Sequence, residues 1–169
     1  MSSYRLLQRL LLVGLLTAAL ALTATGAQAA TNVANARGGI VEDFTDITTL
    51  RAALAANQAG SLFFTHTVSL TGTLSGTGQM SEKVSAGLNG AVESFVVTTF
   101  TGTITGPDGK PNSGTIQIVD SAIALPGSDV FNGTFSLQNG TGELAGVRGQ
   151  GTLTVQDGVG TYQGQIFFP

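Results

Sequence analysis

The 169 residues include no cysteine and no tryptophan, a single histidine, four prolines and only 10% charged side chains. Without cysteine, an exported chain has no disulfide staples, no thiolate nucleophile and no cysteine to carry a lipid, so its stability must come from a closed, well-packed sheet. One histidine and no cysteine leave too few ligands for a metal centre, and Pro107-Asp108-Gly109-Lys110 lacks the further acids of a calcium loop. No cofactor is implied either. Many serines and several acids accompany the one histidine, and spacing selects no Ser-His-Asp set among them.

Basic residues are equally scarce. Beyond residue 29 there are five (Arg37, Arg51, Lys83, Lys110, Arg148) against ten acids, a net charge of −5, which is no nucleic-acid footprint. Only one long apolar run exists, Leu10 to Ala21. It follows Arg5 and Arg9 and precedes the small-x-small site Ala27-Gln28-Ala29, which is the pattern of a signal peptide cleaved after Ala29. The run falls short of the roughly 20 residues that span a bilayer. The expected product is therefore secreted or periplasmic, with no stable membrane anchor after cleavage.

Glycine, threonine, serine and valine fill the remainder, a bias toward strands over helices. From Ala30 to Gly39 the residues are small and polar without either period, which reads as a leader. A short helix follows: Asp46 can cap it, Ile47, Leu50 and Leu54 form one stripe, and Gly60 closes it. From Ser61 the period becomes two. Leu62, Phe64, His66, Val68, Leu70 and Leu74 share one face, and threonines and serines the other. Gly76-Thr77-Gly78 reads as the turn, and Met80, Glu82, Val84, Ala86 and Leu88 alternate on the return.

Asn89-Gly90 is the strongest hairpin signal, because a two-residue type I′ turn needs positive φ at both positions. It pairs Leu88 with Ala91 and so places Glu93, Phe95 and Val97 on the face of Glu82. Further strands run through Phe100 to Gly106, Thr115 to Leu125, Val130 to Gln138, Gly151 to Gln156 and Val159 to Phe168, the last two joined at Asp157-Gly158. With a short piece at Gly142 to Val147, the count from Ser61 is about eight. At that number a closed antiparallel barrel is filled by its own side chains or holds one small ligand. Strand spacing alone leaves an open two-sheet sandwich as the alternative.

Asn139 to Gly151 carries glycine at 140, 142, 146, 149 and 151 around Leu144 and Val147. Gly140-Thr141-Gly142-Glu143-Leu144-Ala145 matches a dinucleotide fingerprint on paper. The later glycines forbid the helix whose N-terminus would bind pyrophosphate, so these are turns that close a sheet. This glycine run, with Phe100-Thr101-Gly102-Thr103 before it and the Tyr162 hairpin after it, resembles an uncharacterised bacterial family grouped with allene-oxide-cyclase-like and dirigent-like barrels. The resemblance covers roughly Leu62 to Phe168. It implies an eight-stranded antiparallel up-and-down barrel, often oligomeric, holding a small hydrophobic molecule that some relatives cyclise. Where that family carries an acid before Phe-Thr-Gly and a histidine late in the next strand, this chain has Thr98 or Thr99 and Asp120, so no catalytic pair carries over.

The expected organisation is a signal peptide over 1–29, a leader and helix over 30–60, and an all-β barrel over 61–169. Candidate acid-base residues are His66, Glu82 and Glu93, brought to one apolar face by the alternation. Candidate ligand contacts are Phe64, Phe95, Asp120, Arg148 and Tyr162. Glu143 and Arg148 flank the glycine turns, as an ion pair or as a pocket rim. Two functions are compatible with this pattern. One is a barrel that binds a small hydrophobic ligand or serves as a structural module, a homo-oligomer through threonine-rich outer faces. The other is a cofactor-independent cyclase or isomerase acting in the lumen. Fold alone does not choose between them.

Overall fold

The computed structural model describes residues 32–44, 46–57 and 60–169; the expected signal peptide lies outside the described residues. Eight strands follow in order: β1 Val33–Glu42, β2 Ser61–Gly72, β3 Leu74–Ala86, β4 Val92–Thr105, β5 Pro111–Ala124, β6 Val130–Gln138, β7 Arg148–Gln156 and β8 Val159–Phe167. Each pairs antiparallel with the next, and β1 pairs with β8, so the sheet closes into an up-and-down barrel. Closure rules out the open sandwich. One helix, α1 Ile47–Ala56, joins β1 to β2.

The eighth strand is not where the sequence pattern puts it. The supposed leader contains β1, whose residues from Val33 to Val41 face β8 and from Gly38 to Glu42 face β2. The barrel therefore begins at Val33 and not at Ser61. The inward positions of β1 are Ala34, Ala36, Gly38, Ile40 and Glu42, and the small size of the first three hides the alternation from a hydrophobicity reading. Conversely, Gly142–Leu144 is a 3-10 turn and no strand.

Two turns also move. The β2–β3 turn lies at Gly72-Thr73, where Gly72 has φ +97°, while Gly76 is paired within the sheet, opposite Leu70 and Gly102. At Asn89-Gly90 both φ values are positive, as expected, but Leu88–Gly90 forms a three-residue 3-10 loop. The Gly87 amide donates to the Ala91 carbonyl, and Ala86 pairs with Val92. One extra loop residue slips the register by one, which reverses the facing of every residue on β4 relative to β3. By contrast, Asp157-Gly158 is the two-residue turn its sequence calls for, with Gln156 opposite Val159.

The end of the barrel away from α1 is solid. Leu74, Phe100, Ile104, Ile116, Leu144, Val147 and Ile166 are fully buried there, each stabilising by about 1.5–3 kcal/mol through removal from water. The glycine stretch seals this end: Leu144 and Val147 plug it, and a Cβ at Gly140 would collide with the Leu144 carbonyl. Tyr162 adds a polar strut. Its hydroxyl accepts from the Leu74 amide at 2.8 Å and donates to the Thr71 carbonyl at 3.0 Å, fixing the β2–β3 turn. Gly38 makes room for that hydroxyl, since a Cβ there would strike it.

The opposite end is crossed by α1. The Asp46 carboxylate accepts from the Thr49 amide at 3.0 Å and from the Thr49 hydroxyl at 2.6 Å, capping the helix, which ends at Ala56 with Asn57 as C-cap. Ile47, Leu50 and Leu54 face the core. Arg51 donates to the Leu125 and Ser128 carbonyls at 3.0 and 2.6 Å in the β5–β6 loop, on the far side of the mouth from β1 and β2.

Replacing Tyr162 with Phe leaves the buried Leu74 amide without its acceptor, and the expected cost is about 1–3 kcal/mol. Urea denaturation of the two proteins measures it; a difference below about 0.5 kcal/mol would mean that the strut contributes nothing.

Candidate functional site

The polar groups of the lumen collect in its α1-proximal half. Alternation along β2 brings His66 inward, and the slipped β3–β4 register brings Glu82 inward together with Ser94 rather than Glu93. His66 and Glu82 are 10% and 6% exposed, and His66 Nε2 lies 3.3 Å from Glu82 Oε2. Ser94 Oγ donates to Glu82 Oε1 at 2.5 Å. His66 Nε2 is buried and makes no hydrogen bond among the described residues, so the contact becomes an ion pair only when the imidazole is protonated.

Around the barrel from Glu82, Val96 on β4 stands opposite Asp120 on β5, and Asp120 opposite Phe135 on β6. Asp120 and Glu42, the last residue of β1, line a cavity with Ile40, Leu70, Met80 and Tyr162. Its volume is about 40 Å³. That is room for roughly three waters at most. Neither carboxyl has a hydrogen bond or ion pair with another described residue. Burial pushes Glu42 up from its ordinary 4.5 to about 7, and the Glu82 charge adds to this. Burial pushes Asp120 from 3.8 to about 8, with Glu42 and Glu82 adding repulsion. Among the described residues, all five basic side chains lie outside this lumen. None is there to neutralise the carboxyls.

The candidate residues thus divide. His66, Glu82, Asp120, Tyr162 and the partly buried Phe64, which packs on the core, belong to the interior. Glu93 and Phe95 do not: the loop slip turns both outward, Glu93 opposite Ser85 and Phe95 opposite Lys83. Arg148 is also exterior, and its guanidinium donates to its neighbour's carbonyl at Val147. Glu143 makes no ion pair with it; its carboxylate accepts from the Ser113 amide at 2.7 Å, fastening the glycine turns to β5. Sequence reasoning missed Glu42 and Ser94. Glu42 follows Ile40 in the weak alternation of β1, which would have disclosed it, whereas Ser94 depended on the loop length at Leu88–Gly90.

Among the described residues no three of His, Asp and Glu are grouped so as to hold a metal ion. What the arrangement offers is proton chemistry at neutral pH: one carboxyl near 7, one near 8, and a histidine against a third carboxylate. A scan against protein-family models and a search of curated proteins find no match to the chain.

Because both folded pKa values lie above those of the unfolded chain, the folded protein binds more protons than the unfolded one between about pH 4 and 8. The stabilisation is complete below that window and is lost as pH rises through 7 and 8. An Asp120→Asn variant, neutral at every pH, should match the parent's melting temperature at about pH 3.5, below the window, and exceed it by about 3 °C or more at pH 8.5. Calorimetric melts across that range decide it, and parallel pH slopes for the two proteins would refute the assignment.

Proposed function

We propose that the barrel is a binding module for a small, largely apolar molecule, held in the lumen with its polar group against Glu42 and Asp120. The observation that carries this reading is the pair of unpartnered carboxyls on a cavity whose remaining wall, Thr98 and Tyr162 apart, is apolar. Buried ionisable groups without partners cost stability, and such groups concentrate where they meet a ligand. Occupancy requires the cavity to widen. Met80, Leu70 and Leu153 on its wall are flexible side chains that can turn aside, and α1 covers the nearer mouth. Export through the N-terminal signal belongs to the same proposal, as does kinship with allene-oxide-cyclase-like barrels, which rests on the glycine run and the Phe100–Thr103 motif.

A second reading, a cofactor-independent cyclase or isomerase, is favoured by one specific feature. Asp120 is a protonated acid at neutral pH and can donate a proton or hydrogen bond to a bound oxygen, with Glu42 or the His66–Glu82 pair as the base.

Native mass spectrometry of the protein purified from its own host, followed by solvent extraction, tests the binding reading. A lipophilic adduct at one per chain is expected, and Leu153→Phe, which fills the cavity wall, should reduce its occupancy about tenfold. Protein that is empty in every preparation and binds no neutral apolar fluorophore saturably would end the proposal. If the ligand is a substrate, Asp120→Asn should retain it and turn it over at least about a hundredfold more slowly.

A further inference from the structure

The outer wall carries a cluster that the lumen does not explain. Phe63 on β2 is 76% exposed, Phe95 on β4 50% and Ile123 on β5 38%. They are neighbours: Phe63 stands opposite Lys83, Lys83 opposite Phe95, and Glu93, two residues from Phe95, opposite Ile123. At the usual strand spacing the two phenylalanines are about 10 Å apart, so a single surface presents both rings. Beside them runs a shallow groove lined by Lys83, Ser85, Glu93, Phe95, Ile123 and Asn132. Lys83 and Glu93 occupy diagonal positions on adjacent strands, and neither has an ion-pair partner among the described residues. Toward the other end of the same four strands the outer face is mostly hydroxyl, as in the row Ser69, Thr77, Thr101 and Thr115, which offers little apolar area to bury.

The geometry points to this patch as the interface of a two-fold homodimer, its occupant being a second copy of the same surface. The argument is self-complementarity. A two-fold contact needs each feature and its counterpart on one patch, and here a projecting ring (Phe63) and a groove (beside Phe95 and Ile123) lie together with one unpaired cation and one unpaired anion. Turning a second copy by 180° over the patch sets Phe63 of each copy into the groove of the other. It also brings Lys83 of each to Glu93 of the other, two reciprocal pairs in which every charge meets one opposite charge. Lys83 lies between the two rings and Glu93 beside Ile123, so the charges are interleaved with the apolar side chains, and the patch can be buried only if each charge meets its opposite across the contact. The inference is independent of what the lumen binds.

Sedimentation equilibrium on the protein recovered from its own host, with the N-terminus it carries there, should give twice the monomer mass. Lys83→Glu and Glu93→Lys, which set like charges against each other, should each weaken dimerisation by about tenfold or more. The double swap Lys83→Glu/Glu93→Lys restores opposite charges and should return the dissociation constant to within about threefold of the parent. Phe63→Ser should sediment as a monomer while keeping the parent's circular dichroism. A monomeric parent at about 100 µM overturns the inference. So does a double swap no tighter than the single variants, or an assembly of another stoichiometry that ignores the swap.

Discussion

The structure depends on one seam. β1 holds β8 along nine residue pairs and β2 along five, and only this strand turns a seven-stranded curved sheet into a barrel with an inside. Closure satisfies the two edges that would otherwise offer open backbone groups to other chains. It also creates the lumen in which Glu42, contributed by β1 itself, meets Asp120 and Glu82 from the other side. Without the seam, those carboxyls would be solvated side chains on an open sheet and their protonation would be ordinary.

Within the barrel the two halves are built for different ends. The half sealed by Leu144, Val147 and the Tyr162 strut is filled by fully buried aliphatic and aromatic side chains. The α1-proximal half sets acids against aliphatic side chains and stores repulsion among three of them. A chain selected for stability alone would gain by placing leucine at 42 or 120. Burial and mutual repulsion hold Glu42 near 7 and Asp120 near 8, so both change protonation around neutral pH.

Much of this was legible in the residues. The period-two pattern of β2 identified His66 as inward, and the alternation of β3 identified Glu82, because both strands carry large apolar side chains on one face and hydroxyls on the other. The helix was readable from Asp46 and the Ile47-Leu50-Leu54 stripe. β1 was not, since alanine and glycine on its inner face give no hydrophobic contrast; at Gly38 the Thr71 carbonyl and the Tyr162 hydroxyl occupy the space a side chain would take. The β4 facing failed for a subtler reason. Asn89 and Gly90 adopt positive φ in a two-residue turn and in this three-residue loop alike, so the dipeptide locates the reversal without fixing its length. That single residue exchanged Glu93 for Ser94 in the site and moved Phe95 from the lumen to the outer wall.

Arg51 ties α1 across the mouth by bonding to two backbone carbonyls and to no carboxylate. Carbonyl oxygens do not titrate, so the acceptors of this tie are the same throughout the range in which Glu42 and Asp120 gain and lose protons. The latch over the mouth is thus blind to acidity while the chamber beneath it is responsive. A shift in surrounding pH would rewrite the polarity of the chamber with that fastening unchanged.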